Sequence, residues 1–247
     1  MPAVLVHGNP ETSAIWGPLI EELGRDDVVC LSPPGFGAPT PDGWGATRQE
    51  YIDWLIGELE AIDGPIDLVG HDWGGGHVMG AAMARPDLLR SWGSDVAGIF
   101  HPDYEWHDMA QAWQTPEVGE QVIEMMTGAP LDDRIANFVE LGMTHDIARS
   151  LAEATDAEMG RCILALYRSA PKSVLQGQTA HFGPARTRPG LIIRAQNDDY
   201  VGTDAMSEWA AEQTGAQMTL LTGVGHWWMI QDPAAGAAAL EAFWASL

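Results

Sequence analysis

A series of short apolar runs, each cut off by glycine or proline, constrains this chain more than any other feature. Pro2–Val6 runs into His7-Gly8-Asn9-Pro10, Val28–Leu31 into Ser32-Pro33-Pro34-Gly35, and Ile66–Val69 into Gly70. Further strand candidates follow at Ser91–Val96, Leu191–Ala195 and Met218–Leu221. Runs this short, ended by turn residues, suit strands buried on both faces, as in a parallel sheet. Helical patterns lie between them. Thr47-Arg48-Gln49-Glu50 is a capping-box sequence, and Tyr51, Ile52, Leu55, Ile56, Leu59 and Ile62 follow at helical spacing until Asp63-Gly64-Pro65. Other helices are expected from Asp72 to near Pro86, from Thr203 to about Gln213, and after Asp232-Pro233, a capping residue with proline in the first turn. Strands alternating with helices predict an α/β fold, a mostly parallel sheet covered by helices on both faces.

Residues 99–188 break this rhythm, with helical periodicity and no convincing strand. Within them Thr155-Asp156-Ala157-Glu158 reads as a second capping box, opening a helix that ends just before Pro171. The expected organisation is a core of residues 1–98 and 189–247 with a helical insertion at 99–188. A chain of 247 residues can bury a large core without disulfides or metal.

Gly70-His71-Asp72-Trp73-Gly74 sits directly between an apolar strand and a helix. It has the form of a nucleophile elbow, Gly-x-nucleophile-x-Gly, with aspartate as the nucleophile. The glycines fit a turn so tight that neighbouring chain passes too close for side chains. Asp198, after the Leu191–Ala195 strand, and His226, in Gly223-Val224-Gly225-His226, follow in the order nucleophile, acid, base. All three fall at C-terminal strand ends, where parallel sheets place ligands. Asp95, at the end of the Ser91–Val96 strand, is the competing acid. The order of the residues alone leaves Asp198 and Asp95 both open. Gly8, Asn9 and Trp73 are candidates for an oxyanion hole or leaving-group site.

These motifs, with Pro33-Pro34-Gly35-Phe36-Gly37 and Gly70-His71-Asp72-Trp73-Gly74-Gly75, resemble the α/β-hydrolase fold over essentially the whole chain. The likeness is to the aspartate-nucleophile branch of epoxide hydrolases and haloalkane dehalogenases. It implies a helical cap at 99–188, a sheet shortened at its N-terminal edge, lacking two strands that usually precede the first, and Asp198 as the acid in preference to Asp95, since its spacing after Ala195 matches the family's loop, with Asp199 facing solvent. It also implies a mechanism. A carboxylate is ionised at neutral pH and attacks saturated carbon without a base. Asp72 would form an alkyl ester, which water activated by His226 would hydrolyse, with Asp198 orienting the imidazole.

The leaving group separates the two activities. An epoxide oxygen leaves as a basic alkoxide and needs a proton, whereas a halide needs only donors. Tyr167, followed by Arg168, resembles the cap tyrosine of epoxide hydrolases, and Tyr104, His101 or His107 would serve as a second donor. Asn9 and Trp73 match the halide-holding pair of one dehalogenase group. The expectation is an epoxide hydrolase, with haloalkane dehalogenase as alternative and a small-molecule receptor with little turnover as a third reading, since fold alone does not establish catalysis. His7, His71 and Trp227 join Tyr104 and His107 as pocket candidates. The aromatic and sulfur-containing side chains of Trp106, Trp113, Met125, Met126, Phe138 and Met143 fit an apolar substrate.

Acidic residues number 35 against 12 basic ones, a net charge of -23. That field repels phosphate backbones and anionic lipid, so neither nucleic acid nor membrane is an expected partner, and neutral substrates are favoured over anionic ones. Cys30 and Cys162 are distant in sequence and outside any metal-ligand spacing, and the start of the chain lacks a signal-peptide pattern. These features lead to an expectation of a cytoplasmic enzyme using water, with neither metal nor cofactor; a homo-oligomer is compatible with the chain.

Overall fold

The computed structural model describes residues 1–247. Six strands form one sheet: β1 (Ala3–Val6), β2 (Val28–Leu31), β3 (Ile66–Gly70), β4 (Leu89–Ser94), β5 (Gly190–Ala195) and β6 (Gln217–Leu221). Their order is β2-β1-β3-β4-β5-β6 and every pairing is parallel. The inner strands β1, β3 and β5 are buried throughout, whereas the edge strands β2 and β6 are partly exposed. Alternation along β1 divides the interior. Val4 and Val6 join one apolar cluster, Ala3 and Leu5 the other, as a two-residue side-chain period requires.

On the Val4 face lie α2 (Arg48–Glu60) and α3 (Trp73–Ala84); on the Leu5 face lie α1 (Gly17–Leu23) and, from the end of the chain, α12 (Trp228–Gln231) and α13 (Pro233–Ala245). The capping box of α2 is formed as its sequence predicts, with Thr47 and Glu50 bonding reciprocally. α11 (Asp204–Thr214) joins β5 to β6. No helix is long and apolar enough to cross a membrane.

Between β4 and β5 the chain is helical throughout its regular structure. α4 (Asp108–Gln114), α5 (Val118–Gly128), α6 (Leu131–Glu140), α7 (His145–Ala154) and α8 (Ala157–Ser169) are followed by the short α9 (Lys172–Gly177) and α10 (Phe182–Ala185). Two local expectations need correction. The cap of α8 is Asp156, whose side chain accepts the Met159 N–H; Thr155 instead ends α7 and donates its hydroxyl to the Leu151 carbonyl. β4 stops at Ser94, so Asp95 and Val96 lie beyond the sheet. That frees Asp95 to turn beneath the loop that follows β3.

Candidate active site

β1 and β3 are neighbours, but β1 connects to the edge strand β2 and β3 to β4, so the loops leaving their C-terminal ends diverge. Such a switch point opens a crevice in a parallel sheet. Asp72 occupies it. It has φ 52° and ψ -129°, a conformation disfavoured for any residue with a Cβ, and the first turn of α3 follows directly. Gly74 makes the turn feasible, because a Cβ there would collide with the Val6 carbonyl. Gly8 makes room for the reacting group itself, because a Cβ there would overlap the Asp72 carboxylate.

The carboxylate oxygens of Asp72 face different partners. Oδ1 accepts the Asn9 backbone N–H at 2.9 Å and the Asn9 side-chain N–H at 3.4 Å. Oδ2 lies 3.6 Å from His226 Nε2. On the far side of the imidazole, His226 Nδ1 donates to Asp198 Oδ2 at 2.8 Å, and Asp198 Oδ1 accepts the Tyr200 N–H at 2.9 Å. Asp198 is buried whereas Asp199 is exposed. Burial alone would raise the Asp198 pKa, but the charge and hydrogen bond of His226 hold it below the ordinary value. Burial would likewise lower that of His226; Asp198 above all, with Asp72 adding a hydrogen bond, lifts it to about 10. Asp72 is held below the ordinary carboxylate value, since His226, His71 and the Asn9 N–H outweigh its burial.

Asp95 faces elsewhere. Its Oδ1 accepts the Asp72 backbone N–H at 3.1 Å, and its Oδ2 accepts His71 Nδ1–H at 2.5 Å and Trp228 Nε1–H at 2.7 Å. The other nitrogen of His71 donates to Glu11 Oε1 at 3.1 Å. Burial opposes the charge on His71, but Glu11 and Asp95 raise its pKa well above the ordinary value. A buried imidazolium therefore stands between two buried carboxylates directly beneath the elbow. Glu11 is a site residue that sequence reasoning missed, although it follows His7-Gly8-Asn9-Pro10 immediately. It also accepts the Gly8 N–H at 3.1 Å and the Trp227 indole N–H at 2.6 Å. Glu11, His71 and His226 bring metal-ligand atoms within 4.8 Å of one another. Those atoms already serve the ion-pair chain just described.

The raised pKa values of His71 and His226 predict a direction for stability. A histidine that titrates near 6.5 when unfolded and about 10 when folded gives its full stabilisation below about pH 6.5 and loses it as pH rises through about 10. The melting temperature of the wild type should therefore fall between pH 7 and pH 10. Asp198→Asn should melt lower at pH 7 and show a flatter alkaline decline, measured by thermal denaturation across that range.

A cavity of about 360 Å³ opens above Asp72. Asp72, His226, Asn9, Tyr167, His107 and Trp227 line one end, with Tyr200 beside them. Trp113, Met125, Met126 and Phe138 line the apolar wall, as their composition suggested; Met143 is instead packed in the core, and Trp106 borders a small adjoining space. Tyr167 projects from α8, almost wholly buried. Burial and the nearby Asp72 charge keep its hydroxyl protonated, while polar groups of Trp73 and Asn9 act on it in the opposite direction.

Several expected roles are redirected. Gly8 gives its N–H to Glu11, so it is not an oxyanion donor; its role is steric. Asn9 supplies the backbone N–H instead, and Trp73, first residue of α3, has no carbonyl a turn behind it to receive its own. His7 and His71 are fully buried and do not line the cavity. His7 donates Nδ1–H to the Gly8 carbonyl and burial lowers its pKa. The Tyr104 hydroxyl is spent on the Tyr200 carbonyl at 2.7 Å. His101 accepts the Asp103 N–H and packs on Trp209, outside the cavity. His107 does line it. Its Nδ1 accepts the Ala110 N–H, capping α4, and burial lowers its pKa, so the neutral ring carries its proton on Nε2. Arg134, unnoticed in the sequence, also borders the cavity.

The sequence profile of the alpha/beta hydrolase family matches residues 3–239. The chain belongs to that family. This hydrolase is 34% identical over 110 residues to a cis-3-alkyl-4-alkyloxetan-2-one decarboxylase of Shewanella oneidensis, covering 41% of this chain and 34% of the relative. It is 35% identical over 104 residues to an epoxide hydrolase of Caballeronia sordidicola, covering 36% and 29% respectively. These matches thus span about a third of the length of those relatives. The crystal structure of haloalkane dehalogenase DbeA from Bradyrhizobium elkani superposes with a TM-score of 0.71, covering 100% of the hydrolase and 91% of that chain at 21% identity. At that identity the likeness concerns the fold.

Proposed function

We propose that this hydrolase opens small epoxides through an ester formed on Asp72. The observation that carries this reading is the Tyr167 hydroxyl, buried, kept protonated, and facing polar groups of Trp73 and Asn9 beside the Asp72 carboxylate. A group that stays an acid inside an apolar site is what an alkoxide leaving group needs. In the first step an Asp72 oxygen bonds to an epoxide carbon, the carbon–oxygen bond breaks, and Tyr167 gives its proton to the departing oxygen. The His107 Nε2–H is a second donor on the same cavity wall.

In the second step water attacks the Asp72 ester carbon while His226 takes its proton, and the oxyanion is received by the Asn9 and Trp73 N–H groups. Collapse releases the diol, with His226 returning the proton, and the Asp72 carboxyl group then gives its own proton to His226, which restores the ionised nucleophile and the imidazolium. At rest His226 is protonated, so it must lose a proton before acting as base. The phenolate left on Tyr167 must gain one. Alkylation of Asp72 removes part of the support for the imidazolium, which promotes that transfer. The epoxide hydrolase relative agrees with this reading.

A single turnover in heavy-oxygen water tests the ester, since label should enter the Asp72 carboxylate. Tyr167→Phe tests the leaving group. Epoxide opening should fall by roughly 10²–10⁴-fold, whereas a rate near that of the wild type would overturn the reading. One observation favours haloalkane cleavage as a second reading: Asn9 and Trp73 both reach the Asp72 site. Bromide release from bromoalkanes that survives Tyr167→Phe and is lost in Asn9→Ala would establish it. Ligand-dependent stabilisation without turnover of either substrate would favour the receptor.

A further inference from the structure

A cationic side chain also lines the cavity. Arg134, on α6, borders it together with Asn137, Phe138 and Thr155. Its Nη1 donates to the Thr155 carbonyl at 2.6 Å, which fixes the guanidinium in place. Its Nε is buried without an acceptor, and no carboxylate lies within 4.0 Å of it. Most arginines of this acidic chain do have such a partner, on helices as much as on strands. Asp132 and Asp133 precede Arg134 on the same helix, yet neither pairs with it.

A guanidinium offers its donors as a planar fork suited to two oxygens of one carboxylate. Here the Nη1 corner is taken by the Thr155 carbonyl and Nε has no acceptor from the chain, so no carboxylate of the protein answers the charge of this guanidinium. Asp72 is the only carboxylate lining the cavity, and it is held by Asn9 and His226. Trp113, Met125 and Met126 add apolar lining to the same cavity. We propose that Arg134 is a carboxylate-binding side chain, so that the substrate is an apolar molecule with an epoxide at one end and a carboxylate at the other. The epoxide end rests on the function proposed above; the carboxylate end stands on Arg134 alone. The net charge of -23 does not oppose this, because exposed charges beyond about 8 Å are largely screened at physiological salt, whereas Arg134 makes contact inside the cavity.

The test compares the glycidyl ethers of 4-hydroxybenzoate and 4-hydroxybenzamide, which differ in charge and little in shape. The wild type should prefer the carboxylate in kcat/KM by roughly ten- to a hundredfold, the range for hydrogen bonds to a charged group. Arg134→Gln, which keeps an N–H for the Thr155 carbonyl, should bring that ratio near one, chiefly through KM of the carboxylate. An unchanged ratio, or a wild type that prefers the amide, overturns the proposal. A second arm needs neither turnover nor the Arg134 variant. Calorimetry on Asp72→Asn protein should show 4-methoxybenzoate binding more tightly than 4-methoxybenzamide, with the difference shrinking as salt rises. Equal or absent binding overturns the proposal. Preferential binding of the benzoate with no hydrolysis of either ether by the wild type upholds the carboxylate site and sinks the epoxide reading.

Discussion

Asp72→Asn is expected to abolish turnover, lowering the rate by roughly five to six orders of magnitude, as loss of a covalent nucleophile does elsewhere. The amide matches the carboxylate in shape, so the Asn9 N–H still finds an acceptor and the elbow keeps its backbone. What is lost is the charge that attacks carbon. Stopped assays of diol formation, with melting temperature as a control for folding, check this. A variant that retains a tenth of the rate would mean that water attacks the substrate directly. His226 would then be a base acting on that water, and no ester would form.

His226→Gln should produce the other large effect, of a different kind. Asp72 needs no base to attack, so the first step survives. The second step loses its proton acceptor, and the ester accumulates. One equivalent of substrate should be consumed rapidly, after which turnover stops. Intact-mass measurement should find the protein heavier by one substrate, with the added mass on the peptide containing Asp72. Absence of the adduct, with steady-state turnover merely slowed, would place His226 outside the ester-hydrolysing step. Together the two variants separate formation of the ester from its breakdown, which neither does alone.

The sheet was legible because buried parallel strands leave a strong trace: Ala3–Val6, Ile66–Gly70 and Gly190–Ala195 are apolar runs that stop where the loops begin. The end of β4 was not. Ser91–Val96 contains polar and small residues that suit a strand or a turn, and pairing with β3 and β5, invisible in one sequence, decides that it stops at Ser94. Asp72, His226 and Asp198 could be read because each follows a strand in a fixed order. Glu11 could not, because a lone acid after a turn looks solvated; only the fold reveals that it is buried against His71 and Trp227. Tyr167 stood out by its likeness to a cap tyrosine, with Tyr104 as one candidate for a second donor; only three-dimensional packing reveals that the Tyr104 hydroxyl goes to a backbone carbonyl while Tyr167 lines the cavity. Arg134 lies on a strongly amphipathic helix, where an arginine ordinarily marks the wet face.

Asp72, His226 and Asp198 all hang from ends of the sheet, whereas Tyr167 arrives on α8, a helix belonging to the insertion between β4 and β5. In the proposed reaction, protonating the departing oxygen and regenerating the enzyme are therefore entrusted to separate stretches of chain. The regenerating half meets the same ester whatever group departed. Substitutions in the insertion can thus retune which bond is broken while inheriting a finished hydrolytic apparatus, a division of labour that makes one scaffold a repeated starting point for new alkyl-transfer chemistry.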